Sequence, residues 1–304
     1  MTQTSAARLL KVGVHPSNTS LFVLRRRGIL EALVADLEAH VLWVEYDDGR
    51  YTVDLLASGE IDIGGTGSTP PVRAQSEGVD IVYVAVSEPR PAHGVLVVRE
   101  DSPIREVADL RGKRVALAEG SYQTALLATA LDQAGLAYDD VEKVSGGHGE
   151  GKRAFLAGEV DAWVGGDPEL ADAQRVGGVR ELVDTAAVIS NRSVWFARRD
   201  FATRTPKLLD AVVTALRRAD GWIAEHPREA AELFARDVAG SPDVDAWETA
   251  LRRRPWGPHA VSDEFVAEQQ RAADLFARQG IIPRAISVAD AVLAPTPALA
   301  AVVS

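Results

Sequence analysis

Asp62-Ile63-Gly64-Gly65-Thr66-Gly67-Ser68-Thr69-Pro70-Pro71-Val72-Arg73-Ala74-Gln75 is the stretch that decides the fold. Ile61 to Gly64 reads as a short buried strand, and Thr66 to Pro71 opens a helix. Hydroxyl residues and prolines suit that first turn, where backbone N–H groups lack partners in any case. The same grammar recurs downstream. Arg114 to Ala118 is a strand, and Gly120-Ser121-Tyr122-Gln123 leads into a helix over 121–134. A strand, a turn of small residues and a helix form the repeating unit of a parallel sheet wrapped by helices.

Reading outward extends the alternation. Leu9 to Val14 is a strand that breaks at His15-Pro16-Ser17-Asn18 into a helix carrying Leu21, Leu24 and Arg25 to Arg27, closed by Gly28. Further strands are expected at Val41 to Tyr46 and Ile81 to Val86, with a helix from Tyr51 to Ala57. Gly94 to Arg99 reads as the crossing into a second lobe, which repeats the pattern with a strand at 141–145, a helix at 150–157 and a strand at 160–164. Ser193 to Ala197 leads the chain back. Beyond Thr205, amphipathic helices are expected at 206–225, 228–238, 243–251 and 262–279. The expected architecture is α/β: two doubly wound lobes, 1–95 plus 196–304 and 96–195, with two crossover segments, a helical C-terminal third and a cleft between the lobes. A single doubly wound enzyme domain with a helical cap is the alternative.

The length, 304 residues, suits two lobes of roughly 100–150 residues. With 33 Lys and Arg against 44 Asp and Glu, the formal charge is −11, the opposite of what phosphate neutralisation in nucleic-acid binding requires. Cysteine is absent, which removes disulfides, thiolate nucleophiles, cysteine-ligated metals and a lipid-modified cysteine anchor. The histidines, at 15, 40, 93, 148, 226 and 259, include no pair at helical metal-ligand spacing. No metal and no cofactor is expected. Met1 to Lys11 holds no apolar run of signal-peptide length, and no segment reaches the ~18–20 apolar residues of a membrane span. As written the chain reads as cytoplasmic, or as periplasmic or extracellular if an export signal has been removed. A monomer is expected.

Several phrases are similar to one family. The 62–75 stretch resembles the first ligand loop of the aliphatic sulfonate, taurine and nitrate-binding proteins of ABC importers, and Gly120-Ser121-Tyr122-Gln123 stands where that family has its second. Asp101-Ser102-Pro103-Ile104, Val107 to Ala116, Phe155 to Trp163, Asp167-Pro168 and Ala273 to Pro283 follow its order and spacing, so the likeness spans about residues 9–290. The resemblance implies the periplasmic binding protein-like type II fold, a small anionic ligand in the cleft and a membrane permease as partner. Helix N-termini supply unpaired N–H groups and positive dipole ends for such an anion. Candidate ligand contacts are His15, Ser17, Asn18, Gly67, Ser68, Thr69, Ser121, Tyr122, Gln123, His148, Trp163, Asp167 and Arg192. Read plainly, Ser68, Thr69 and Ser121 are also ordinary helix caps.

Two departures matter. The family often places a second aromatic near Asp167-Pro168; here Gly165-Gly166 stands after Trp163-Val164, which predicts an enlarged or reshaped floor. The signal-less desulfinases of the same fold also resemble His15-Pro16 and Gly28-Ile29-Leu30. Their cysteine aligns with His15, their histidine near Asp54 and their arginine near Gly64, so cysteine-based desulfination is excluded. Two readings stand. In one, His15 donates a hydrogen bond to a bound solute. In the other, His15, with His148 and Glu150 opposite, moves protons in a lyase or hydrolase acting on a sulfur-containing or carboxylated anion. The run Arg252 to Arg254 reads as the basic end of a helix.

Overall fold

The computed structural model describes residues 8–293. The chain starts with β1 (Arg8–Val14), α1 (Thr19–Arg27), α2 (Ile29–Ala35), β2 (Ala39–Glu45), α3 (Thr52–Ser58), β3 (Ile63–Thr66), α4 (Thr69–Glu77) and β4 (Ile81–Ser87). The second lobe holds β5 (Gly94–Arg99), β6 (Arg114–Leu117), α5 (Tyr122–Gln133), β7 (Glu142–Ser145), α6 (His148–Leu156), β8 (Ala162–Gly166), α7 (Glu169–Val176) and β9 (Val179–Glu181). The chain then returns through β10 (Val194–Arg198), α8 (Arg199–Arg204), α9 (Pro206–Glu225), α10 (Pro227–Asp237), α11 (Val244–Arg252), β11 (Pro258–His259) and α12 (Asp263–Arg278).

Two sheets result, ordered β11-β4-β10-β3-β1-β2 and β7-β6-β8-β5-β9. In the first, β10 inserts antiparallel between β3 and β4, so the returning strand is central rather than an edge. Period-two alternation along β10 explains the layering. Trp195 and Ala197 face the core beneath α1, α9 and α10, while Val194 and Phe196 face the core shared with α4 and α12. Helices therefore cover both faces. Gly94 to Arg99, read above as the crossing, is instead an interior strand of the second sheet, antiparallel to both β8 and β9. The crossings are the segment 88–93 before it and the segment that leads from β9 into β10. They are tied together where Ser87 N–H donates to the Ser193 carbonyl and Arg90 N–H to that of Ser190, both at 2.9 Å.

Local signals account for the elements. Asn18 caps α1 by accepting from Leu21 N–H at 3.0 Å, Gly28 ends it at φ 63°, and Arg25 to Arg27 occupy its negative last turn. In α9, Leu209, Val212, Val213, Leu216 and Ile223 form one buried face, so packing fixes a 20-residue helix that begins with Pro206. Among the described residues, no helix is long and apolar enough to cross a membrane.

Candidate functional site

Strand ends from both lobes converge on the cleft, the position where open α/β sheets place ligands. A cavity of about 50 Å3 lies there, lined by His15 after β1, Thr66 and Gly67 after β3, Arg90 and His93 in the first crossing, and Ser121 and Tyr122 at the head of α5. Ser17, Arg50, Asp167 and Ser193 complete much of its wall.

Arg90 is the dominant charge. It is 4% exposed, and its Nε donates to the Asn191 carbonyl at 2.9 Å, which fixes the guanidinium at the cavity wall. Burial, reinforced by the nearby Arg254 cation, drives its pKa well below the usual arginine range. A cation held at that cost attracts an anion strongly, because little water screens it. Asn191 makes the contact possible by adopting φ 51°, a left-handed conformation that asparagine tolerates.

Asp167 sits at the other side, its side chain 1% exposed, 3.7 Å from His93 Nδ1 and 3.4 Å from Arg253 Nη1. Its Oδ1 accepts from Ala171 N–H at 3.2 Å. Burial pushes its pKa up to about 7, against the pull of Arg253, that hydrogen bond and Arg254. Near neutrality the carboxyl is thus partly protonated, which weakens its opposition to an anion in the cavity.

His15 is an anchor. Its Nε2 lies 2.8 Å from the Gly65 carbonyl, and since a carbonyl only accepts, Nε2 carries the hydrogen in that bond. The ring fills the space beside Gly49, where a Cβ would come within 2.5 Å of it. Asn18 is spent on capping α1. Ser121 lines the cavity and also caps α5, its Oγ accepting from Gln123 N–H at 3.1 Å. Gln123 is 1% exposed and closes its own loop by accepting from Ala118 N–H at 2.6 Å. Of the first loop, Thr66 and Gly67 reach the cavity; the Ser68 carbonyl instead accepts from Gln269, and Thr69 is buried at the start of α4. His148 opens α6, and its side chain lies outside the described residues.

Three expectations need correction. Trp163 is 1% exposed and packs against Phe155 in the small core between β8 and α6, because alternation along β8 turns it away from the cleft. Arg192 donates to the Ser87 carbonyl at 3.0 Å and pairs with Glu268 at 3.3 Å, behind the crossings. Gly165 and Gly166 do not open a floor. Gly165 backs onto Trp163 and Leu170, and a Cβ on Gly166 would lie 2.2 Å from the Tyr122 hydroxyl. Gly67, Gly94 and Gly166 together form a slot filled by Tyr122.

Arg90 was not singled out from sequence, and His93 and Arg254 were not placed at the cleft, Arg254 being read only as part of a basic helix end. Helix α11 ends at Arg252, and the chain turns at Arg253 before reaching Arg254. Arg252 pairs outward with Glu248, while Arg254 turns inward and is 6% exposed.

A family model described as NMT1/THI5 like matches residues 37–230. The chain belongs to the NMT1/THI5-like family. This NMT1/THI5-like protein is 32% identical over 292 residues to a putative aliphatic sulfonates-binding protein of Escherichia coli, covering 96% of this chain and 91% of that one. Among solved structures, the periplasmic aliphatic sulphonate binding protein SsuA from Escherichia coli superposes with a TM-score of 0.86 at 32% identity, covering 95% of this chain and 93% of the other. The alkanesulfonate-binding protein SsuA from Xanthomonas axonopodis pv. citri, bound to MOPS, superposes at 0.84 with 30% identity, covering 95% and 99%. The desulfurization enzyme DSZB shares the fold at 17% identity and a TM-score of 0.67, across 98% of this NMT1/THI5-like chain and 99% of its own.

Proposed function

We propose that this protein is a solute-binding component of an ABC importer. It would close its two lobes over a sulfonate head group and present the closed form to a membrane permease, outside the cytoplasmic membrane and as a monomer. The observation that carries the reading is Arg90: a guanidinium 4% exposed at the wall of a small cavity between the lobes, with His15, Thr66, Ser121 and Tyr122 around it. A sulfonate is singly charged, offers three acceptor oxygens and is compact, which matches one buried cation amid hydroxyl and N–H donors. Sulfonate binding by two relatives at 30% identity or above supports it. The proton-transfer alternative is weaker, because His15 is held by the Gly65 carbonyl and packed against Gly49.

The test is calorimetry with short alkanesulfonates, followed by mass spectrometry of the recovered ligand. The expected outcome is one-site binding with the ligand returned unchanged, and a loss of at least about 100-fold in affinity in Arg90→Met, since a buried charge-assisted contact is removed. Consumption of the ligand, or undiminished affinity in Arg90→Met, refutes the proposal.

A further inference from the structure

Past Ser17, His93 and Asp167 the head-group cavity opens into a second compartment of about 350 Å3. Its walls are Trp247, Ala250, Leu251 and Val238 on one side and the α6 and α7 ends on the other. Arg254 faces into it. This guanidinium is 6% exposed, its Nε is enclosed with no hydrogen-bond partner, and its planar group rests over the Trp256 ring at 4.5 Å. Asp220 and Asp167 are the carboxylates whose charge it feels, yet burial still outweighs both and holds its pKa at about 10. Asp220 accepts from Gly257 N–H at 3.0 Å, and Asp167 pairs with Arg253.

A buried cation with an enclosed N–H that lacks a partner is rare unless something else supplies acceptors to the group. We propose that the second compartment recognises an acceptor at the far end of the solute, so that the preferred ligand is a short sulfonate bearing a terminal carboxylate. This rests on the sulfonate reading of the cleft and deepens it. The sulfonate meets Arg90, the carbon chain lies against Trp247 and Leu251, and the carboxylate takes the guanidinium of Arg254. Asp47, Glu150 and the cation Arg153 also border the compartment, all three exposed, together with the half-buried Glu169 at the α7 end. Water and salt screen them, so they weigh less than the enclosed cation.

Three probes separate the outcomes by titration calorimetry on the full chain. They are 3-sulfopropanoate, its isostere without the terminal charge, 3-methylbutane-1-sulfonate, and 3-aminopropane-1-sulfonate. The dianion is expected to bind about 10- to 100-fold more tightly than the isostere, the range of one buried charge-assisted contact. In Arg254→Met that ratio should fall to about one, whatever the absolute affinities, while Arg254→Lys keeps part of it and guards against a folding defect. A ratio of one in the wild type, a ratio surviving in Arg254→Met, or tightest binding of the amine overturns the inference while leaving the sulfonate reading intact. Failure of all three to bind overturns both.

Discussion

Asp167 gives the cleft a pH response whose sign follows from its surroundings. Its carboxyl is pushed up to about 7 by burial, with Arg253, the Ala171 N–H and Arg254 opposing and Glu169 adding to the rise. His93 faces it at 3.7 Å. An anion seated in the cavity adds a second negative charge on the order of 6 Å away. At an effective dielectric of ~20 the two charges repel by about 3 kcal/mol, or roughly two pKa units. Anion binding therefore favours the protonated carboxyl and draws up a proton. Affinity is expected to be flat below about pH 7, to weaken up to tenfold per unit between about 7 and 9, and to level off above. His15 and His93 line the same cavity, so the contribution of the carboxyl is read by difference from a variant. Asp167→Asn isolates the carboxyl: the variant should bind at about pH 8.5 nearly as well as at pH 6.5. Calorimetry in buffers of different ionisation enthalpy reads proton uptake directly, and close to one proton per ligand is expected near pH 8. A wild-type affinity independent of pH between 7 and 9, or the same slope in Asp167→Asn, would refute the reasoning.

Two further outcomes follow from side chains beside the cavity. Burial lowers the folded-state pKa of Arg254 to about 10, below its ordinary value, so at every pH below about 10 the folded protein bears the cost of the buried cation, on the order of a few kcal/mol. Arg254→Met should raise ligand-free stability by about 1–3 kcal/mol and the melting temperature by several degrees, whereas a lower melting temperature would mean that the guanidinium is better satisfied than its geometry indicates. Gly166→Ala places a Cβ 2.2 Å from the Tyr122 hydroxyl and should cost about 1–3 kcal/mol in denaturant titration, with most of that loss disappearing in a Tyr122→Phe background. An additive double mutant would show that the slot does not hold the ring.

Much of the fold was legible because its determinants are local. The helix at 206–225 is found to the residue, since a proline start and a continuous apolar face leave little freedom. Ser121 reads correctly as a cap for the same reason, whereas Asn18, expected at the ligand, caps α1 instead. What failed depends on partners distant in sequence. Gly94 to Arg99 looks the same whether it crosses between lobes or pairs inside a sheet, and only its contacts with β8 and β9 decide. Trp163 was assigned to the cleft by its place in a motif, but parity along β8 puts it in the core. Arg90 and Arg192 exchange roles. Both are buried arginines near a crossing; the carbonyl of Asn191 positions one at the cavity, and Glu268 on α12 draws the other away. Nothing within either local sequence encodes that choice.

The arrangement of charge ties binding to closure. The lobes share an apolar seam where α5 meets α4 and α12, and at the cleft they are latched by polar contacts: Arg50 donates to the Glu119 carbonyl at 3.2 Å, Arg175 pairs with Asp243 at 2.8 Å, and Arg253 reaches Asp167. Two of these are exposed or half-exposed and contribute little on their own. Opposing them, closure encloses Arg90 and Arg254, two cations that weaken one another. Without an anion, closing the cleft thus costs desolvation that the latch contacts only partly offset. With one, the same burial strengthens the attraction, so the solute's affinity for the closed form exceeds that for the open form by the energy the arginines would otherwise lose. A permease that recognises the closed shape would then sense the anion's charge through Arg90, although it never touches the ligand.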